Sequence, residues 1–231
     1  MHIGIVGVSA EGAALCFRTI CAEGSDLFGP GAQPEVSMHT LSFARYRRLS
    51  EQQDWRATSD LLLTSAKKLA KIGADFLICP ANTPHLAFPY FESRSPLPWL
   101  HIVDVVADEA LRRGFHRIGI LGTRYTMHSG LYPDRLTPRG LEALSPNADE
   151  CATINRFIYD ELVRGVCTPA ATEYHQQVIA RLKSEGCDAV VLGCTEIPLI
   201  VIDTNSPLPT LDSTRLLARA ALRKAASFRK P

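Results

Sequence analysis

The chain has 231 residues with a formal net charge of +1, and 46% of its residues are hydrophobic while 21% are charged. This is the size and composition of a globular protein with one large or two small domains, and the balanced charge argues against nucleic acid or an acidic membrane surface as a partner. The seven cysteines are odd in number and include no Cys-x-x-Cys spacing, which argues against a disulfide framework or a zinc site and favours a reducing, cytoplasmic setting.

Short apolar runs alternate along the chain with longer segments of helical period, which predicts strand–helix–strand units in a parallel sheet. The strands are expected at 3–7, 36–40, 75–79, 99–103, 117–122, 189–193 and 208–211. The helices are expected at 10–22, 55–72, 104–113, 150–164, 171–185 and 213–227. No apolar run approaches 18 residues, and the opening residues lack the basic and apolar regions of a signal peptide, so we predict neither a membrane span nor export by that route.

Three stretches of the first half recur in the second half in the same order. The pairs are IGIVG at 3–7 with IGILG at 118–122, GADFLICPANT at 73–83 with GCDAVVLGCTE at 186–196, and SPLP at 95–98 with SPLP at 206–209. The offsets between the copies are 115, 113 and 111 residues. The sequence therefore predicts an α/β fold of two pseudo-symmetric parallel-sheet domains related by internal duplication, which we place at 1–104 and 105–211.

Small polar residues follow the expected strands at equivalent places in the two halves. Ligands of parallel α/β sheets bind at the carboxyl ends of the strands, and helix starts at these ends present unpaired backbone N–H groups that hold anions. We therefore expect an active-site cleft between the halves that binds a small carboxylate. The alternative is that these residues only cap helices, as Ser, Thr and Asn do in any fold. The residues are Ser9, Asn82, Thr83, Thr123, Thr195 and Glu196.

Cys194 lies between a buried strand and an expected helix start. Unpaired N–H groups at such a place favour the thiolate, so we expect a pKa below the usual ~8.5 and a role as base or nucleophile. The alternative is a buried, inert cysteine, which is what we expect for Cys79 within its strand. In the first half the position equivalent to Cys194 is occupied by Ala81, so only one half carries the sulfur.

The chain contains the stretches IGIVG, GADFLICPANTPH, LGTRYTM and LGCTEIPL. In these stretches, and over nearly its whole length, it resembles the aspartate/glutamate racemase superfamily. The resemblance implies two four-stranded parallel-sheet domains, with the C-terminal helix at 212–231 packing back on the first. It also implies inversion of amino acids without pyridoxal phosphate or metal, by one cysteine from each half, and a homodimer is common in the family.

The resemblance assigns roles to individual residues. Cys194 matches the second catalytic cysteine of the family, and the best candidates for gripping a distal carboxylate are Arg47 and Arg164, whose planar guanidinium groups suit that task. His85 resembles a histidine that follows the Asn-Thr pair, and we expect it to orient the loop. The residues expected to contact the α-carboxylate and amino group are Ser9, Asn82, Thr83, Thr123, Thr126, Thr195 and Glu196.

The chain departs from the family pattern at Ala81. Inversion needs an acid/base group on each face of the α-carbon, and a methyl group neither takes nor gives a proton. The replacements that we considered are Thr83, a bound water and Cys79. Three hypotheses follow: a racemase-like enzyme that uses Cys194, a single-cysteine decarboxylase or isomerase of the same superfamily, or an inactive carboxylate-binding protein. Each takes a small carboxylate or amino acid and needs no cofactor.

Overall fold

The computed structural model describes residues 1–227, and this part of the chain divides into two compact units. The first unit contains Met1–Ile102 together with the C-terminal residues from Thr214, and the second contains Val103–Ser213. Among the described residues, none of the helices combines the length and the apolar character that crossing a bilayer requires.

The first unit is built on a four-stranded parallel sheet with strand order β2-β1-β3-β4. Its strands are β1 (His2–Gly7), β2 (Glu35–Thr40), β3 (Phe76–Ile78) and β4 (Trp99–Leu100). Its helices are α1 (Ala10–Glu23), α2 (Ser25–Phe28), α3 (Phe43–Glu51), α4 (Trp55–Lys71) and α5 (Phe88–Phe91), with 3-10 turns at Thr83–Ala87 and Glu92–Arg94.

The second unit repeats this arrangement with strand order β6-β5-β7-β8, again all parallel. Its strands are β5 (Arg117–Leu121), β6 (Glu142–Leu144), β7 (Ala189–Leu192) and β8 (Thr210–Asp212). The remaining helices are α6 (Ile102–Arg112), α7 (Arg124–His128), α8 (Pro133–Leu136), α9 (Ala148–Asp160), α10 (Pro169–Ser184) and α11 (Ser213–Ser227), with 3-10 turns at Thr137–Arg139, Leu162–Arg164 and Ile197–Leu199.

Most of α11 belongs to the first unit, and two contacts hold it there. The Arg219 guanidinium pairs with the Glu23 carboxylate of α1 at 2.7 Å, and the Lys224 ammonium lies 5.5 Å from the centre of the Phe76 ring. Leu217, Ala218 and Ala221 of α11 are fully buried, so apolar packing accompanies these two contacts.

The two units share backbone details at the positions that repeat in the sequence. Gly73 and Gly186 both have a φ of +91°, which glycine adopts without strain, where the chain leaves the preceding helix. The next two residues lead into a strand, and Asp188 N–H donates to the Arg117 carbonyl at 2.9 Å just as Asp75 N–H donates to the His2 carbonyl at 2.9 Å. These matches confirm the predicted fold class of two similar parallel-sheet α/β halves.

The strand predicted at 99–103 is wrong beyond Leu100. Leu100 pairs with Ile78, the last residue of β3, so there is no partner strand for the residues that follow. The chain instead starts α6 at Ile102. Ile102, Val103 and Val106 are fully buried. Val106 lies four positions after Ile102 and three after Val103, which is helical spacing, although the β-branched side chains favour strands.

Other elements were missed or set too long in the sequence prediction. The short strand β6 and the helix α3 were not predicted; α3 is a polar helix in which only Tyr46 and Ser50 are buried, so its apolar period is weak. The helix predicted at 150–164 ends at Asp160, and a 3-10 turn leads to Gly165, whose φ is +75°. The other predicted elements differ from the observed ones by one or two residues at their ends.

His175 of α10 lies fully buried in the core of the second unit. Its Nδ1 is 2.7 Å from the Ala171 carbonyl, to which it donates, and its Nε2 has no hydrogen-bond partner. Burial lowers the pKa of His175 below the ordinary value of 6.5, because a charged imidazolium would lose its hydration. The imidazole is therefore neutral in the folded protein.

We expect the stability of the protein to fall below about pH 6.5 partly through His175. The unfolded chain takes up the proton first as the pH falls, so the stability is fully present above the unfolded pKa and declines below it by up to about 1.4 kcal/mol per pH unit. Urea unfolding at pH 7.5 and 5.5 should show a smaller acid loss for His175→Leu than for the wild type. His128→Leu, at an exposed histidine, is the control; equal acid losses in all three proteins would contradict the prediction.

Candidate functional site

The end of β7 is held in place by a backbone contact that only glycine permits. Gly193 follows Leu192, the last residue of the buried strand, and its N–H donates to the Leu121 carbonyl at 2.7 Å. A Cβ at Gly193 would lie 2.6 Å from the Leu121 carbonyl oxygen, which is too close for a side chain. Because residue 193 has no side chain, the backbone that leads to Cys194 lies directly beside the end of β5.

Two threonines at the end of β5 lie against this glycine. Thr123 caps α7, where its hydroxyl accepts from the Thr126 N–H, and the two hydroxyl oxygens are 3.3 Å apart. The Thr126 methyl group lies 3.2 Å from the position that a Cβ of Gly193 would take. The structure thus brings Thr123 and Thr126 close to the residue before Cys194, as expected for strand ends of one sheet.

The Cys194 thiol donates a hydrogen bond to the Glu196 carboxylate, with 2.9 Å between Sγ and Oε2. Both residues are buried, with 9% and 4% of their surface exposed, and Thr195 between them is 6% exposed. The N–H groups of Thr195 and Glu196 also bond to the sulfur. The sequence placed Glu196 among the substrate contacts and missed that it is the partner of the thiol.

The expected lowering of the Cys194 pKa is wrong. Burial raises the pKa well above its usual value, the Glu196 charge and hydrogen bond raise it further, and the two N–H groups oppose them only in part. The element that follows is a three-residue 3-10 turn, Ile197–Leu199, rather than a helix with a substantial dipole. Cys194 is therefore a neutral thiol beside a carboxylate.

The equivalent strand end in the first unit carries no acid/base group at the matching position. Ala81 is half-buried there, followed by the buried Asn82 and the half-buried Thr83. The His85 imidazole donates from Nδ1 to the Ala81 carbonyl at 2.8 Å, and its Nε2 accepts from the Ile102 N–H at 3.4 Å. These bonds agree with the expected orienting role of His85, since both ring nitrogens hold the backbone.

Cys79, one of the groups considered as a replacement for the missing cysteine, is only 2% exposed. Burial raises its pKa to about 12, so it remains a neutral thiol near neutral pH. This agrees with the buried, inert state that we expected from its place in the strand and argues against an acid/base role.

The remaining predicted contacts lie at more exposed places. Ser9 caps α1, where its hydroxyl accepts from the Gly12 N–H at 3.3 Å. Arg47 lies on α3 and pairs with Glu51 one turn later at 2.8 Å, with about half of its side chain exposed. Arg164 ends the 3-10 turn after α9 and is exposed. The structure thus gathers Cys194, Glu196 and the two threonines in one unit, while both arginines lie at the surface.

These features define a class: an α/β protein of two similar units in which one strand end carries a buried thiol–carboxylate pair. Within the described residues, no group of three or more His, Cys, Asp or Glu side chains is arranged to hold a metal ion. The family model described as Asp/Glu/Hydantoin racemase matches residues 5–221. The chain belongs to the Asp/Glu/Hydantoin racemase family.

Relatives of known sequence or structure agree with this membership. The broad-specificity amino-acid racemase RacX of Bacillus subtilis is 25% identical over 164 residues, which cover 70% of this chain and 69% of RacX. A candidate Asp/Glu racemase from Yersinia pestis has a TM-score of 0.89 at 31% identity, covering 97% of this chain and 98% of its own. An aspartate racemase homologue from Pyrococcus horikoshii has a TM-score of 0.83 at 31% identity, covering 98% and 99%.

We expect Glu196→Gln to lower the pKa of the Cys194 thiol, because the substitution removes the negative charge that opposes the thiolate. The measurement is the pH dependence of Cys194 alkylation by iodoacetamide, followed by mass spectrometry of the peptide that contains it. Glu161→Gln is the control, since that carboxylate accepts from Thr168 and not from a thiol. An unchanged or raised thiol pKa in Glu196→Gln would contradict the assignment of Glu196 as the partner of Cys194.

Proposed function

We propose that this protein is a cofactor-independent enzyme of the amino-acid racemase type, in which Cys194 transfers a proton at the α-carbon of a small amino acid or carboxylic acid. The observation that carries the proposal is the 2.9 Å hydrogen bond from the thiol to Glu196. A thiol with a raised pKa must lose its proton before it can act as a base, and a carboxylate at this distance can take it.

The proposed proton transfers balance within this pair. The Cys194 thiol passes its proton to the Glu196 carboxylate, and the thiolate then takes the α-proton, so the sulfur is a thiol again and the substrate is a carbanion. The reverse sequence returns the proton from sulfur to carbon and from Glu196 to sulfur. Glu196 is therefore a catalytic residue in the proposal as well as a neighbour of the substrate.

We infer the substrate class from the hydroxyl residues at the two strand ends that lie beside each other, those of β5 and β7. The hydroxyls of Thr123, Thr126 and Thr195 suit an α-carboxylate and an amino group, and binding the carboxylate favours the carbanion by stabilising its negative charge. Amino acids are also the substrates named for the relative RacX. The other proposed substrate contacts, from the sequence patterns, are Ser9, Asn82, Thr83, Arg47 and Arg164, with the two arginines assigned to a distal carboxylate.

A second candidate function is a single-cysteine decarboxylase or isomerase of the same superfamily. Two features of the chain favour it: the Ala81 methyl group has no proton to exchange, and burial raises the pKa of Cys79 to about 12. Reactions of this kind need a proton delivered to one face only. Racemisation would require the Thr83 hydroxyl or a bound water to act on the opposite face, and a threonine hydroxyl is a weak acid. The third hypothesis, an inactive carboxylate-binding protein, remains an outcome of the experiments below.

We expect one enantiomer of a substrate amino acid to exchange its α-proton in heavy water with retention of configuration. The experiment incubates each enantiomer of aspartate and glutamate with the protein and follows deuterium and chirality together. Cys194→Ala should abolish exchange, whereas Cys187→Ala, which removes another buried thiol, should retain it. Exchange with inversion would favour a two-base racemase. A ligand-induced rise in melting temperature without any exchange would favour the carboxylate-binding protein.

Replacing Ala81 by cysteine should create inversion if the first half has lost an acid/base group. Ala81→Cys places a thiol at the position equivalent to Cys194, so we expect racemisation of a substrate that the wild type only exchanges. Ala81→Ser is the matched control, because its hydroxyl is too weak an acid to replace the thiol. Equal activities in the two variants would argue that position 81 does not face the α-carbon.

Two further proposals concern the setting of the protein. All seven cysteines are free thiols, which supports a reducing, cytoplasmic setting. The homodimer rests on the family resemblance alone, and size-exclusion chromatography with light scattering tests it.

A further inference from the structure

Tyr132, between α7 and α8, has the largest of the fully buried side chains in the described part of the chain. Its hydroxyl bonds to Ser213, and burial raises its pKa, so the phenol stays protonated. The Ser213 hydroxyl, also fully buried, donates to the Leu192 carbonyl at 3.0 Å. The Ser213 hydroxyl therefore links the Tyr132 hydroxyl to the Leu192 carbonyl. A buried phenol would be costly without such a partner.

This chain of hydroxyls ends on the peptide group that precedes Cys194. The Leu192 carbonyl and the Gly193 N–H belong to one planar peptide unit. Ser213 holds the carbonyl end, and the Leu121 carbonyl holds the N–H end at 2.7 Å. With the plane fixed at both ends, the direction of the Cys194 thiol depends on the Gly193 torsions and on the Cys194 side chain itself. This constraint matters because glycine alone allows many backbone conformations.

The first unit lacks the equivalent hydroxyl. The repeated SPLP segments align Ile102 with Ser213, and both residues begin a helix after the fourth strand of their sheet. Ile102 has an apolar side chain, and the cysteine position of that half is Ala81. The serine therefore occurs only in the half that carries the thiol, although the backbones of the two halves share their topology. The bond is therefore not one that the shared topology requires.

We propose that Tyr132 and Ser213 are positioning residues for Cys194. They fix the Leu192–Gly193 peptide, and this fixed plane is the reference from which the Gly193 and Cys194 torsions direct the thiol towards Glu196 and the reacting carbon. The catalytic meaning of this inference rests on the proposed function, because a fixed thiol direction affects turnover only if Cys194 transfers a proton. Small errors in such a direction are costly in proton transfer.

The test compares Tyr132→Phe and Ser213→Ala with the wild type. We expect each to lower kcat for α-proton exchange about tenfold, with KM little changed, and to shift the thiol pKa measured by alkylation of Cys194. The double variant should lose no more activity than the more damaged single variant, because both act through one chain of bonds. Ser213→Thr, which keeps the hydroxyl, should retain most of the activity.

Tyr46→Phe provides the matched control, since it removes the hydroxyl of a buried tyrosine in the first unit. It should leave kcat and the Cys194 pKa unchanged. If Tyr132→Phe lowers only the melting temperature and leaves both readouts at wild-type values, the positioning role is wrong. If the wild type exchanges no α-proton, the proposed function fails. The positioning role is then tested by the pKa of Cys194, measured by alkylation: a shift of this pKa in Tyr132→Phe supports the role, and an unchanged pKa overturns it.

Discussion

The close approach of a buried thiol to a buried carboxylate is the constraint on which the proposed chemistry of this protein depends. The Cys194 thiol donates a hydrogen bond to Glu196 at 2.9 Å, and burial makes a second charge beside the first unfavourable. The pair therefore rests with the proton on sulfur, since the thiol pKa is raised. In the proposed reaction Glu196 accepts that proton and so releases the thiolate, and the same carboxylate opposes the thiolate at rest by its charge.

A comparison of the two units distinguishes the residues that the fold requires from those that the proposed chemistry requires. Features that form the sheet are present twice: the strand order, the left-handed glycines before β3 and β7, and the aspartates that follow them. Features around the thiol are present once. Ala81 aligns with Cys194, Thr83 with Glu196 and Ile102 with Ser213. The topology holds in both halves because apolar burial and strand pairing dictate it, while the reactive groups differ.

Membership of the Asp/Glu/Hydantoin racemase family accounts for the fold. The reaction has to be inferred from the residues of the site, because one fold supports several chemistries. A racemase needs two acid/base groups on opposite faces of a carbon. In this chain one half has the Cys194 thiol, which is the proposed acid/base group, and the other half has a methyl group at Ala81. The same framework with one thiol suits reactions that need a proton on one face, which connects the racemase and decarboxylase hypotheses through a single structural difference.

The sequence alone determined the α/β class, the duplication, most strands and helices, and the candidate site around Cys194, because apolar periodicity and repeated segments are local properties of the chain. It did not determine where the strand at Trp99 stops, since that depends on the end of its partner β3. It also missed the direction of the Cys194 pKa shift and the chain from Tyr132 through Ser213 to Leu192. These depend on burial and on contacts between residues up to 81 positions apart (Tyr132 to Ser213), which only the tertiary structure brings together.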